Sequence, residues 1–129
     1  MHEKIEKLRG FKLLFVEDEI DLLSIISDAL TKLQANFFTA NNGLEALEIL
    51  KNNPDIDAII TDINMPLMNG LDMIENIREQ NIQIPIIIMS AHTESEYITR
   101  ASNHGVSEYL LKPFDFIKFI DLITSMEIK

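Results

Sequence analysis

Apolar residues follow two rhythms along this chain, and the rhythms alternate. Phe11 to Val16, Phe37 to Ala40, Ile56 to Thr61, Ile84 to Met89 and Val106 to Leu111 are short, almost continuous apolar runs. Such runs, rich in β-branched and aromatic side chains, are what strands buried on both faces require. Between them the apolar residues recur at helical spacing. Leu22, Leu23, Ile26, Leu30 and Leu33 predict an amphipathic helix over about Glu19 to Leu33. Asn41-Asn42-Gly43 opens a second helix carrying Leu44, Leu47 and Leu50, which Asn52-Asn53-Pro54 ends. A third follows Asn69-Gly70, with Leu71, Ile74 and Ile77 on one side, and fades by Asn81. A weaker fourth starts at Thr93 or Glu94 and reaches His104-Gly105, where Gly105 suits a left-handed cap. The last runs from Phe114 to Met126, with Asp115 as a cap or first-turn acid. Residues 1–10 form a charged lead-in with one helical turn, closed by Gly10, ahead of a single domain over residues 11–129.

Apolar strands alternating with helices across short connections predict an α/β sandwich, a parallel sheet covered on both faces. Right-handed crossovers make it doubly wound. Neither a repeat nor an internal linker interrupts the alternation, and 129 residues suffice for one domain with a real core. A hydrophobic content of 47% with 25% charged residues is too apolar for disorder. The absence of cysteine excludes disulfides and thiolate metal sites and suits a reducing cytoplasm. The N-terminus lacks a signal-peptide core, and the longest apolar runs are far too short to span a bilayer. A net charge of −10 argues against nucleic acid as a partner.

In open α/β sheets chemistry collects beyond the carboxyl ends of the strands, at the point where strand order reverses. The first strand ends in Glu17-Asp18, the third in Asp62, the fourth in Ser90 and the fifth in Lys112-Pro113, while the second, an edge strand, ends in Asn41. Each residue has a plain structural use when taken alone. Glu17, Asp18, Glu19 and Asp21 complement the positive N-terminus of the first helix. Asp62 is a turn former, Ser90 a helix-entry residue and Lys112 a solvated lysine. Convergence changes this reading, because clustered carboxylates repel one another and raise their own pKa values unless a cation joins them. A hard cation that keeps most of its waters, such as Mg²⁺, fits a few carboxylate oxygens. Acid, metal, hydroxyl and ammonium together make a set suited to phosphoryl transfer.

Phe15-Val16-Glu17-Asp18-Glu19, Asp62-Ile63-Asn64-Met65-Pro66 with Asn69-Gly70, Ser90-Ala91 and Tyr109 to Phe114 resemble, in order and spacing, the CheY-like receiver domains of two-component response regulators. The resemblance covers residues 11 to 126. It implies a flavodoxin-like (βα)5 fold with strand order 2-1-3-4-5 and a phosphorylatable aspartate at Asp62. It further implies Mg²⁺ held by Asp18, Asp62 and the backbone carbonyl of Asn64, with Glu17 helping through water. A sensor histidine kinase or a histidine phosphotransfer protein would supply the phosphoryl group, and a downstream effector protein or domain would read the result. Lys112 would neutralise charge on the transferring group. Ser90 would hold one phosphoryl oxygen, and Tyr109 would rotate inward as the face of fourth helix, fifth strand and fifth helix switches. The residue types favour a trans Lys112-Pro113 bond, whereas the resemblance implies cis.

Departures from the pattern are few. Glu17 stands where an aspartate is more usual, and Asn64 and His92 occupy positions that tune phosphoryl hydrolysis in similar domains. His2 and His104 carry no reading beyond surface. The last helix has more apolar residues than one core-facing stripe needs. The surplus reads either as core or as a docking face, a phosphorylation-dependent homodimer included. Its sequence lacks the acidic-leucine and arginine pattern of winged-helix regulators. A receiver at the head of a longer transcriptional regulator, an aspartate-nucleophile phosphatase, a non-phosphorylated pseudo-receiver and a flavin-binding module are the alternatives, the last disfavoured because acidic Glu17-Asp18-Glu19 stands where a phosphate loop would follow the first strand. Asn64 lies where the phosphatase would carry its general acid, and the full acid, hydroxyl and lysine set disfavours the pseudo-receiver. The receiver reading makes the chain a phospho-acceptor that catalyses only its own phosphorylation and dephosphorylation.

Overall fold

The computed structural model describes residues 2–90, 95–106 and 108–126. Its elements run α1 (His2–Arg9), β1 (Lys12–Val16), α2 (Ile20–Lys32), β2 (Asn36–Ala40), α3 (Gly43–Asn52), β3 (Ala58–Thr61), α4 (Gly70–Glu79), β4 (Ile86–Ser90), α5 (Ser95–Ser102), β5 (Glu108–Leu111) and α6 (Phe116–Ser125). The five strands form one parallel sheet in the order β2-β1-β3-β4-β5, as the resemblance implied. The order reverses at β1, so β1 and β3 are neighbours whose connections leave to opposite sides.

Two apolar layers follow from the alternation of side chains along each strand. Leu14, Val16, Ile59 and Ile88 face α3 and α4, where Leu50, Leu71, Ile74 and Ile77 meet them. Leu13, Phe15, Ile60 and Met89 face α2 and α6, against Ile26, Leu30, Phe119 and Ile123. Phe15 is edge-on to both Phe114 and Phe119, which locks the start of α6 to the centre of the sheet.

Helix starts follow the local chemistry. Asn42, Asn69 and Asp115 cap α3, α4 and α6 through side-chain oxygens that accept from Glu45 N, Asp72 N, and Ile117 N with Lys118 N. Gly105 has the left-handed φ of 78° expected of it. Four strands start later than the apolar runs predict, and β2 starts one residue earlier, at Asn36. Ile56, Ile84 and Val106 are buried but lie ahead of the paired segments, because core burial begins before ladder pairing does. Pro85 also lacks the donor that a paired residue needs. The start expected for α5 at Thr93 or Glu94 lies outside the described residues. The lead-in is a full helix of eight residues rather than one turn, and its Leu8 is completely buried.

Candidate functional site

Asp62 leaves β3 one residue after Thr61, and its N–H still donates to Val16 O at 2.9 Å. That last rung aims the side chain over the sheet end. The carboxylate is then fixed from both sides: Ile63 N donates to Oδ1 at 2.7 Å and Lys112 Nζ donates to Oδ2 at 3.0 Å. Thr61 Oγ1 donates to the Asp62 carbonyl at 2.8 Å. On the neighbouring strand, Glu17 N donates to Ala40 O at 3.0 Å, and the whole residue is buried. Its Oε2 accepts from the N–H groups of Asp18 (3.0 Å) and Glu19 (3.4 Å), at the entry to α2. Asp21 is the acid in the first turn of α2 and Glu19, its N-cap, makes no side-chain cap hydrogen bond, whereas Glu17 closes the turn ahead of the helix with one oxygen only. The other, Oε1, lies 3.1 Å from Lys112 Nζ but outside hydrogen-bonding alignment, and has no hydrogen-bond partner among the described residues.

Lys112 follows β5 and is anchored by its own N–H to Ser90 O at 2.8 Å, so the fourth and fifth strand exits are tied together. Its side chain is about four-fifths buried, and the ammonium meets Glu17, Asp62 and, at 3.8 Å, Glu19. The Lys112-Pro113 peptide is cis, against the expectation from residue types and as the resemblance implied. Burial pushes the Glu17 carboxyl up from 4.5 to about 7, the negative charge of Asp62 adds to the rise, and Lys112 offsets only part of it. For Lys112, burial alone would lower the ammonium pKa, but Asp62 and Glu17 outweigh it and leave it raised. One lysine is thus too little positive charge for this pocket. Carboxylate oxygens of Glu17, Asp18 and Asp62 lie within 4.8 Å of one another. With the Glu17 oxygen that no hydrogen bond satisfies, this donor set fits a small divalent cation bound through oxygen.

The loop between β3 and α4 walls the pocket, and two glycines hold it there. A Cβ on Gly70 would stand 2.1 Å from the Asp62 carbonyl oxygen, and one on Gly43 would stand 2.7 Å from the Met68 side chain. Gly70 N donates to Ile63 O and Gly43 N to Met68 O. In the sequence both glycines read as ordinary turn punctuation. Their real role is close approach, which no local signal distinguishes. Leu67, in the same loop, sits at φ 66° and is 80% exposed, a left-handed conformation that a leucine rarely adopts.

Asp18 is half-buried and Asn64 exposed beside the pocket. Ser90 ends β4 beside the Lys112 backbone. Tyr109 is half-buried on β5, its hydroxyl 3.5 Å from Ile98 O, and burial raises its pKa. His92 lies outside the described residues. His104 is more than surface: Nε2 is 3.2 Å from Glu75 Oε2, and Glu75 also binds Arg100 at 3.0 Å.

An acid at the third strand end, an acidic pair at the first and a lysine at the fifth, all on a 2-1-3-4-5 sheet, define a receiver-type α/β domain. The chain belongs to the response regulator receiver domain family, whose model matches residues 13–124. Chemotaxis protein CheY1 of Helicobacter pylori is 39% identical over 106 residues, covering 80% of this chain and 86% of that protein. Two-component response regulator ARR10 of Arabidopsis thaliana is 34% identical over 118 residues, 88% of this chain but only 21% of that protein. The chain therefore spans about a fifth of the plant regulator and most of the chemotaxis protein. Among solved structures, CheY in the CheX-CheY-BeF3-Mg complex from Borrelia burgdorferi aligns with a TM-score of 0.82 at 29% identity, covering 92% of this chain and 90% of that one.

Proposed function

We propose that Asp62 accepts a phosphoryl group from a phosphohistidine on a sensor kinase or histidine phosphotransfer protein, and that the chain thereby relays a signal. The observation that carries this reading is the fixed, buried carboxylate of Asp62 facing the ammonium of Lys112 at 3.0 Å. Ile63 N–H holds Oδ1, so the carboxylate cannot turn away and Oδ2 faces the pocket. A carboxylate oxygen attacks phosphorus, the bond from phosphorus to the histidine nitrogen breaks, and the imidazole leaves with the electron pair and takes up a proton. The product is a mixed anhydride on Asp62.

Lys112 then moves its ammonium from the carboxylate to the negative oxygens of the transferred group, which sit where its charge already points. Glu17, Asp18, Asp62 and the Asn64 carbonyl are the groups that would hold Mg²⁺. When bound there, the ion supplies the positive charge that Lys112 alone does not. Ser90 donates its hydroxyl to a phosphoryl oxygen. That pull, with Tyr109 turning inward, biases two packings of the face formed by α5, β5 and α6, which a downstream effector protein or domain reads. Asn64 and His92 set how quickly water reaches the anhydride. The chain acts as a phospho-acceptor rather than a turnover enzyme.

Intact-mass measurement after incubation with Mg²⁺ and a small acyl-phosphate donor tests this. The proposal requires a gain of one phosphoryl group that disappears with chelator and in Asp62→Asn. Gain that survives Asp62→Asn, or no gain by a folded protein that binds Mg²⁺, refutes it.

A further inference from the structure

Helix α1 lies outside the residues matched by the receiver family, yet it is tied to two of the domain's helices. Its Leu8 is fully buried in the layer that contains Leu30, Ile120 and Ile123. Lys7 Nζ donates to Thr124 O in the last turn of α6 at 2.5 Å. Arg9 Nε donates to the carbonyl of Leu33, the C-cap of α2, at 2.8 Å. Each cation therefore meets the free carbonyls at the negative end of a helix dipole. Lys4 pairs with Asp121 of α6 at 2.6 Å, and Asn36 Nδ2 donates to Arg9 O at 2.9 Å.

Little within α1 itself supports a helix: its internal His2–Glu6 pair, at 3.1 Å, is exposed on both sides. Eight residues are too few for a stable helix in water. Of the eight, Leu8 alone is buried and Ile5 half-buried. One apolar anchor and a set of cationic contacts, the Lys4–Asp121 pair about half exposed on both sides, are set against the entropy of ordering the segment.

We propose that α1 is a detachable strap, folded only while docked across the C-terminal ends of α2 and α6, and that its release loosens the last turn of α6 without unfolding the domain. The consequence reaches the surface that α6 shares with β5. With β5, that helix walls a groove of about 900 Å³ lined by Tyr109, Leu111, Phe116, Ile117 and Leu122. A docked α1 holds this wall in one position. The strap acts whether or not Asp62 carries a phosphoryl group, so its failure would leave the phosphoryl reading untouched.

Amide hydrogen exchange on the whole chain tests the strap, with Lys7→Met and Leu8→Ala as variants and α4 as internal reference. In the parent, the amides of α1 and of residues 122–125 exchange together, roughly a hundredfold faster than those of α4. Raising the salt from about 0.05 to 0.5 M speeds both several-fold, because the cationic contacts are screened. Lys7→Met speeds both about tenfold and Leu8→Ala more, with α4 unchanged. Unchanged protection at residues 122–125 in Lys7→Met overturns the proposal. So does equal acceleration of α4, which would make α1 an inseparable part of the global core. Should Leu8→Ala fail to fold, Lys7→Met and the salt series decide alone.

Discussion

Replacing Glu17 with glutamine should make the metal-free protein more stable above neutral pH, although it removes a charge that faces a lysine. Glu17 is buried, one of its oxygens lacks a hydrogen bond, and its carboxyl is pushed from 4.5 to about 7. Below pH 4.5 the carboxyl is protonated in both folded and unfolded chains and costs nothing. As pH rises, the unfolded chain ionises first, so stability falls until the folded carboxyl also ionises near pH 7 and then levels off. At about 1.4 kcal/mol per pH unit, the full loss is bounded at ~3 kcal/mol. Solvent reaching the pocket mouth beside half-buried Asp18 reduces this to about 1–2 kcal/mol. The glutamine amide keeps an oxygen for the N–H groups of Asp18 and Glu19 and removes the repulsion with Asp62. In chelator at pH 8, Glu17→Gln should therefore raise the melting temperature by roughly 3–10 °C. The parent's decline in stability between pH 5 and pH 7.5 should flatten in the variant, and added Mg²⁺ should stabilise the parent more than the variant. A parent whose stability does not change over that range, or a variant no more stable than the parent at pH 8, would refute the electrostatic reasoning.

Lys112→Met leaves Glu17 and Asp62 facing each other with no cation, and should cost about 1–3 kcal/mol in urea unfolding without metal. Mg²⁺ should recover most of that loss. Gly70→Ala places a methyl 2.1 Å from the Asp62 carbonyl oxygen; it should destabilise by about 3 kcal/mol and slow phosphorylation of Asp62, measured by intact mass against time. Gly105→Ala is the control: its Cβ meets open space and only the left-handed φ is strained, so it should cost about 1 kcal/mol and leave phosphorylation unchanged. Asn69→Ala removes the oxygen that accepts from Asp72 N at the start of α4, and should cost about 1 kcal/mol by the same unfolding assay.

The element order and the parallel sheet were legible because buried strands and amphipathic helices have different periods, and connections this short leave little topological choice. The acid pocket was legible for the same reason: topology sends the exits of β1, β3, β4 and β5 to one edge, so Glu17, Asp62 and Lys112 meet there and the Ser90 carbonyl accepts from Lys112 N. What stayed hidden depends on tertiary contact. Leu8, near the end of a mostly polar lead-in, becomes core only because the ends of α2 and α6 leave a seat for it. Gly43 and Gly70 read as turn residues, whereas the backbone and side chains that crowd them come from Met68 and Asp62. In the sequence Glu17 is one of several helix-start acids, and only the fold shows that it is the buried one. The surplus apolar residues of α6 are mostly core, with Phe116, Leu122 and Met126 packed against it. Phe119, Ile120 and Ile123 are core, whereas Ile117 is 62% exposed.

The most direct test of the central claim locates the phosphoryl group. After phosphorylation with Mg²⁺ and an acyl-phosphate donor, borohydride reduces an aspartyl phosphate to homoserine, and peptide mass spectrometry reads which residue changed. Homoserine is expected at position 62 and nowhere else, and is absent when Mg²⁺ is chelated. Homoserine at position 18, or a phosphoryl group retained on a serine or histidine while Asp62 stays intact, would contradict the claim.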